Sequence, residues 1–193
     1  MKIKANIPFL VAMSFFILVR STFANYYIVP SGSMEPTIAI GDRIFVNRVA
    51  YDLKVPLTNI ILKNLDEPKR GDIVVFESPV KPGLTLVKRL VALPGDDVLI
   101  ENGFLFINGK PGEFENHVKR IPEYFRPESR HFIVPEGQYF MMGDNRDNSA
   151  DGRVFGFVKR ELLMGRASRV LFSVDLHQNF SRIVAWNRIG KSL

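Results

Sequence analysis

From Tyr27 onward the chain alternates short runs of β-branched and aromatic residues with turn-forming residues: Arg43–Val49, Asp72–Phe76, Leu86–Leu93, Asp97–Ile100, Phe104–Ile107 and Gln138–Met142. Runs of this length at this spacing predict strands, so the fold class is mostly β, an antiparallel sheet. Asn102-Gly103 and Asn108-Gly109 suit the positive φ angles of two-residue turns, and the first predicts a hairpin joining Val98–Ile100 to Phe104–Ile107. Pro94-Gly95 punctuates the chain before it. Lys110–Pro135 carries four prolines, mixed charge and weak periodicity, which predicts an irregular insert or small subdomain. Glu161–Val170 is read as a strand. No internal repeat or low-complexity tract is present.

The N-terminal pattern differs. Ile7–Val19 is an unbroken uncharged run of thirteen residues, roughly 20 Å as a helix, against a hydrocarbon core of ~30 Å. Two readings stay open on pattern alone. A basic start (Lys2, Lys4), an apolar run and the small residues of Thr22-Phe23-Ala24 suit a cleavable signal peptide. A helix extended through Ala24, with Arg20 snorkelling and Tyr26 and Tyr27 in the interfacial belt, suits one transmembrane anchor. Either way Lys2 and Lys4 stay inside, and the remainder lies outside the cytoplasm. This divides the chain into residues 1–25, the cytoplasmic tip and anchor, and 26–193, an extracytoplasmic domain in which 110–135 is a reduced insert.

Composition removes several classes of chemistry. The 193 residues contain no Cys, which excludes disulfides, thiolate zinc sites and cysteine nucleophiles. The net charge of +6 comes from bases scattered among acids beyond Glu35, without the clustered stripe of a nucleic-acid face, so no nucleic-acid partner is expected. Gly-rich phosphate loops and His-Glu-x-x-His are missing. The histidines, His117, His131 and His177, lie in polar or turn-rich contexts and read as surface residues. Asp144–Gly152 alternates oxygen ligands like a calcium loop, but the twelfth position from Asp147 is Val158 instead of a bidentate Glu. No metal or cofactor is expected; the segment reads as a polar loop paired with Arg146 and Arg153.

Val29-Pro30-Ser31-Gly32-Ser33-Met34-Glu35-Pro36-Thr37 by itself reads as a linker turn. Leu86–Leu93 changes that reading, because an apolar strand carries Lys88 within it and lysine is seldom buried. With Arg89 facing water, alternation places Lys88 on the face of Leu86, Leu90 and Ala92. A serine hydroxyl needs a base, and lysine at its reference pKa of about 10.4 is protonated at neutral pH. Burial that lowers it by roughly 3 units, on the order of 4 kcal/mol, makes a serine–lysine pair competent for acyl transfer.

Three motifs then occur in order: Ser31-Gly32-Ser33-Met34-Glu35-Pro36-Thr37; Gly71–Phe76 with Lys88-Arg89 and Leu93-Pro94-Gly95-Asp96; and Gly143–Asp151. Together with Trp186-Asn187-Arg188-Ile189-Gly190, they closely resemble bacterial type I signal peptidases. The resemblance runs from about Arg20 onward. It implies Ser33 as nucleophile and Lys88 as general base, Ser31 adding its hydroxyl to an oxyanion hole with the Ser33 N–H, and Ser149 hydrogen-bonded to the lysine amine. By the same resemblance Asp144, Arg146, Asp147, Asp151 and Arg153 shape the loop, while Val29, Pro30, Met34, Ile38, Leu86 and Val87 line pockets for small side chains one and three residues before the cut. Gly152 stands where many members have serine.

The implied activity is a serine endopeptidase removing signal peptides from exported preproteins. The implied partners are those preproteins, the lipid bilayer and the secretion translocon. The implied location is the inner membrane, single-pass, with the catalytic domain on the periplasmic side. The family keeps its membrane helix before the nucleophile, which favours the anchor over the cleaved segment, and some of the 16 phenylalanines are expected in an exposed membrane-touching patch. A specialised pilin or conjugation-protein peptidase with the same pair, and a non-catalytic envelope-binding domain, are the alternatives.

Overall fold

The computed structural model describes residues 6–55, 58, 60–115, 118–120, 129–174 and 185–193, with side chains 15–22 outside the description. Helix α1 (Ile7–Phe23) runs directly into β1 (Ala24–Ile28). The strands that follow are β2 (Asp42–Asn47), β3 (Asp52–Lys54), β4 (Ile61–Asn64), β5 (Ile73–Glu77), β6 (Thr85–Ala92), β7 (Asp97–Glu101), β8 (Phe104–Ile107), β9 (Lys110–Pro111), β10 (Ser129–Ile133), β11 (Gln138–Met142), β12 (Val158–Lys159) and β13 (Leu163–Ser173), with the short helix α2 (Gly152–Phe155) between β11 and β12. They form a seven-stranded sheet in the order β1-β2-β13-β5-β6-β11-β12, a four-stranded sheet β10-β7-β8-β9 and the ribbon β3-β4. Every strand pairing is antiparallel.

β5 explains why the large sheet is covered on both sides. Its run Ile73-Val74-Val75-Phe76 is buried at every position, the pattern of a central strand with both faces packed. Ile73 and Val75 join Val29, Met34, Ile38, Ile44, Val46, Ala167 and Val170 in one cluster. Val74 and Phe76 join Tyr51, Leu90, Tyr139, Met141, Val158 and Leu163 in another. A third cluster, including Val91, Ala92, Val98, Ile100, Leu105, Phe140 and Met142, ties the two larger sheets together. β6 runs through this arrangement and carries Lys88 and Arg89 into it.

The turns follow local chemistry. Asn102 and Gly103 adopt φ of 50° and 79° between β7 and β8, and Asn108 and Gly109 adopt 52° and 74° between β8 and β9, the left-handed pair that matches strand twist in a tight hairpin. The region read as a single strand, Glu161–Val170, divides: Arg160–Leu162 is a 3-10 turn and β13 begins at Leu163. The insert contributes β9 and β10 to the smaller sheet, while its residues 116–117 and 121–128 lie outside the description.

The N-terminal helix is shorter than the anchor reading required. It stops at Phe23, and Ala24 begins a strand paired with Asn47. Phe23 contributes its carbonyl to the Arg48 N–H at 3.1 Å. Tyr26 and Tyr27 therefore belong to a sheet and not to the end of a helix. At 17 residues α1 extends about 25 Å, and no described helix is long and apolar enough to cross a membrane. Its described apolar side chains, Ile7, Phe9, Leu10, Val11 and Met13, are exposed.

Leu90 is fully buried, whereas Leu62 on the ribbon is 62% exposed. Leu90→Ala is expected to lower unfolding free energy by about 2–5 kcal/mol and Leu62→Ala by less than about 0.5 kcal/mol; equal shifts in urea denaturation would contradict this placement of the core.

Candidate active site

After β1 the backbone passes through Val29 and Pro30 into a 3-10 turn, Gly32–Met34. Ser31 precedes the turn in extended conformation, its side chain exposed and making no capping bond. Met34 is fully buried and anchors the turn in the cluster that also holds Val29 and Ile38. Ser33 is thereby drawn inward, to 9% exposure. The Glu35 carboxylate folds back over Gly32, 2.9 Å from where a Cβ would stand.

Lys88 reaches the turn from β6. The register sets it opposite Val74 of β5, and alternation puts Leu86 and Leu90 on the same side. The side chain is almost wholly buried, and its Nζ donates to Ser33 Oγ at 2.6 Å. Burial is the largest influence on the amine and pushes its pKa down to about 8; the carboxylates of Asp151 and Asp144 oppose the shift at longer range. An amine that is neutral near pH 8 and hydrogen-bonded to a hydroxyl can take that hydroxyl's proton as the oxygen attacks a carbonyl.

Arg89, the next residue, is also buried, contrary to the expectation that it faces water. The reason is a matched carboxylate. Arg89 donates from Nε and Nη2 to Asp144 at 2.8 and 2.7 Å and from Nη1 to the Gly71 carbonyl at 2.8 Å, with the Phe114 ring centroid 4.9 Å from its guanidinium carbon. Thr37 donates its hydroxyl to the same carboxylate. Of two adjacent cations on one strand, one is thus bidentately paired, and the other has a serine hydroxyl as its hydrogen-bond partner.

The remaining loop residues form a connected frame. Asp151 accepts the Gly143 N–H at 3.0 Å and two bonds from the Arg153 guanidinium at 2.8 Å each. Arg153 also donates to the Arg146 carbonyl at 2.6 Å. Arg146, nearly inaccessible, pairs with Glu115 and donates to the Gly143 carbonyl at 3.1 Å. Asp147 is half-buried in the same loop. Gly143 has no room for a side chain, since a Cβ would lie 2.2 Å from Ser149 Oγ and 2.5 Å from the Ser33 carbonyl oxygen. Gly152 is explained the same way: a Cβ would sit 2.6 Å from the Phe140 ring and 2.8 Å from the Met141 carbonyl oxygen.

The structure departs from the expected site in two places. Ser149 makes no bond to Lys88; its Oγ is buried with no hydrogen-bond partner among the described residues, and the amine is directed at Ser33 instead. The pocket residues do not form one group: Val29, Met34 and Ile38 are buried together with Val87 against them, Leu86 packs on the opposite cluster, and Pro30 is exposed. His131 is exposed beside Asp97, as a surface residue; His117 and His177 lie outside the described residues.

Sequence reading missed Arg89, Thr37, Glu115 and Asn145. Asn145 donates its backbone N–H to the Ser33 carbonyl and its Nδ2 to the Gly32 carbonyl, each at 3.0 Å. Arg89 was legible in principle, since two consecutive cations in an apolar strand require two solutions. Next to Lys88, β6 is open: β11 pairs with it only over Arg89–Ala92, leaving the Thr85–Lys88 edge without a strand on that side among the described residues. A cavity of about 350 Å³ borders the loop frame, lined by Arg70, Phe114, Glu115 and Arg146 among others.

Comparison with known proteins gives a consistent family. A family model described as "Signal peptidase, peptidase S26" matches residues 3–172. The chain is similar to Signal peptidase I of Pseudomonas aeruginosa, with 32% identity over 207 residues covering 86% of this chain and 73% of that protein. It is also similar to Probable signal peptidase I-1 of Synechocystis sp., at 38% identity over 173 residues covering 86% and 80%. A third relative, Signal peptidase I of Buchnera aphidicola subsp. Acyrthosiphon pisum, is 29% identical over 239 residues covering 90% and 76%.

Two stability effects follow from the paired and unpaired cations. With a folded-state pKa near 8 against about 10.4 unfolded, Lys88 is protonated in both states at pH 7 and burial of its charge opposes folding there by roughly 3 kcal/mol. That cost disappears as pH rises from 8 toward 10. Lys88→Met is therefore expected to be the more stable protein at pH 7, with the difference shrinking at alkaline pH; a less stable variant at pH 7 would contradict the burial. Asp144→Ala strands Arg89 and is expected to cost about 3–5 kcal/mol in denaturant unfolding; a loss under about 1 kcal/mol would contradict the pair.

Proposed function

From the premise that this chain belongs to the signal peptidase family, peptidase S26, we propose a membrane-anchored serine endopeptidase that cleaves N-terminal signal peptides from exported preproteins after small residues. In this reading Ser33 is the nucleophile and Lys88 the general base. The observation that carries it is the 2.6 Å contact between Lys88 Nζ and Ser33 Oγ, made by an amine whose pKa burial lowers to about 8.

The chemistry proceeds by proton transfers at that one contact. Lys88 takes the hydroxyl proton as Ser33 Oγ attacks the scissile carbonyl, and the negative oxygen that forms is stabilised by the Ser33 N–H and the Ser31 hydroxyl. Such donors contribute roughly 3–4 kcal/mol in comparable enzymes. The Lys88 ammonium then protonates the departing amine, which frees the mature protein. Water attacks the acyl-serine ester while Lys88 accepts its proton; Lys88 passes that proton to Ser33 Oγ as the ester bond breaks, and the signal peptide leaves with a new carboxylate. Ser149, with a buried and unpartnered Oγ, supplies an oxygen for the ammonium in the steps where Ser33 is esterified.

The substrate binds extended, adding its backbone to the open Thr85–Lys88 edge of β6, a recognition mode in which main-chain bonds give affinity and alternate side chains give specificity. Leu86 and Val87, half-buried on that edge and facing opposite clusters, bound separate spaces for the residues one and three before the cut, with Val29, Met34 and Ile38 packed behind Val87, accepting small side chains and excluding large ones sterically.

The membrane assignment makes α1 the anchor, its 17 residues reaching about 25 Å into a hydrocarbon core of ~30 Å, with the catalytic domain on the periplasmic side and the translocon as the source of substrate. Support comes from the exposed apolar side chains of α1 and from the sheet face directly after it. There Tyr26, Ile28 and Phe172 are exposed, and Arg43 lies 4.6 Å from the Phe172 ring centroid. Aromatic rings and arginines of this kind suit a headgroup interface.

Processing of a purified exported precursor tests the assignment. Ser33→Ala and Lys88→Ala are each expected to lower cleavage by at least about 10³-fold with circular dichroism unchanged. Wild-type activity is expected to rise with pH from 6 to 9 as Lys88 loses its proton, with a midpoint near 8. Full activity in either folded variant, or a midpoint near 10, would reject the dyad.

A further inference from the structure

We infer that Asn145 is a positioning residue for the nucleophile: beside the backbone N–H that caps the Ser33 carbonyl, its side-chain Nδ2 ties down the Gly32 carbonyl, and this second tie keeps Ser33 Oγ on the Lys88 amine. The inference rests on the dyad proposed above and goes beyond it, because Asn145 touches neither reacting atom.

The need for such a residue arises in the turn itself. In a 3-10 turn each carbonyl accepts from the N–H three residues on, and Glu35 N–H serves Gly32 in this way at 3.1 Å. The Ser33 carbonyl would look to residue 36, but that residue is proline and has no N–H. Ser33 is buried, and a buried carbonyl without a donor costs about 1–3 kcal/mol. The Asn145 backbone N–H fills the position at 3.0 Å, and Nδ2 adds a second bond to the Gly32 carbonyl at 3.0 Å. The serine is therefore gripped at its carbonyl by Asn145 and met at its hydroxyl by Lys88.

Asn145 is itself fixed from both sides. Lys119 bridges to it in parallel register, donating its N–H to the Asp144 carbonyl at 2.8 Å and accepting the Arg146 N–H at 3.0 Å. The same lysine pairs with Glu35 at 2.9 Å, so the segment that braces Asn145 also closes over the far side of the turn. Asp144 is locked to Arg89, the neighbour of Lys88. Base and nucleophile are thus referred to one loop, Asp144–Arg146, through adjacent residues. Misplacement of a reacting atom by about 1 Å can cost on the order of 100-fold in rate.

Steady-state kinetics of Asn145→Ala and Asn145→Asp with a soluble signal-peptide substrate, alongside Ser33→Ala, test the assignment. In the alanine variant the Gly32 carbonyl keeps its bond from Glu35, so folding is expected to persist, with a melting temperature within a few degrees of wild type. The aspartate variant keeps the volume and the backbone donor but faces a carboxylate toward that carbonyl. The expected result is a kcat at least tenfold lower in the alanine variant and lower again in the aspartate variant, with KM within twofold of wild type and the pH midpoint unmoved. Unchanged kcat in both variants would overturn it, as would a loss appearing in KM, a loss proportional to unfolding, or a kcat drop explained by a displaced midpoint, which would place the effect on Lys88. Inactive Ser33→Ala beside unimpaired Asn145 variants would leave the dyad standing and remove only the positioning role.

Discussion

One lysine amine sits within hydrogen-bond distance of one hydroxyl, with no carboxylate bonded to it, and the other features of the site follow from keeping it there. Lys88 lies among Val74, Leu86 and Leu90 on one side of β6, and its neighbour Arg89 engages the Asp144 carboxylate through two bonds. Had Asp144 contacted Lys88 instead, the attraction would have favoured the ammonium and raised the pKa. Arg89 thus protects the low pKa of Lys88 by occupying its competitor. The adjacent cations are not redundant: one is bonded to a carboxylate and the other to a hydroxyl.

The sheet makes this separation rigid. Alternation along β6 sends consecutive side chains to opposite faces, so Lys88 and Arg89 enter different surroundings. β5 pairs with β6 over Thr85–Arg89 and β11 pairs with it over Arg89–Ala92, so β11 stops where the Lys88 edge has to remain open. The polar loop then closes against the Ser33 turn at a glycine, Gly143, where a Cβ would collide with the Ser33 carbonyl oxygen. Buried charges here are satisfied in two sets, Asp144 with Arg89 and Thr37 and Glu115, Arg146, Arg153 and Asp151 in a chain, which is the condition under which ionised groups persist in a low-dielectric interior.

Much of this was legible in the chain before any coordinates. Strand positions β2, β5, β6, β7, β8 and β11 appear as β-branched runs between turn residues, and both Asn-Gly pairs mark tight turns, the first of them a hairpin. Lys88 announced itself as a charge inside an apolar strand. What pattern could not show were partnerships across sequence: Arg89 reads as the solvent-facing alternate until Asp144, 55 residues away, is placed against it. Asn145 reads as one more turn asparagine until the missing N–H of Pro36 is set beside it. β1 was hidden because Ala24–Ile28 continues the apolar composition of α1, and hydrophobicity alone does not mark where a helix hands over to a strand. The insert strands β9 and β10 are short and proline-flanked, and tertiary pairing with the β7–β8 hairpin fixes them more than any local preference.

The most direct test of the central claim is a titration of the Lys88 amine itself, by ¹⁵N NMR of the Nζ in lysine-labelled protein with Lys88→Met as the assignment control. The account predicts one lysine resonance, lost in the variant, that titrates near pH 8. A Lys88 resonance titrating near the reference value of about 10.4 would contradict it, because the amine would then be charged at the serine throughout the physiological range.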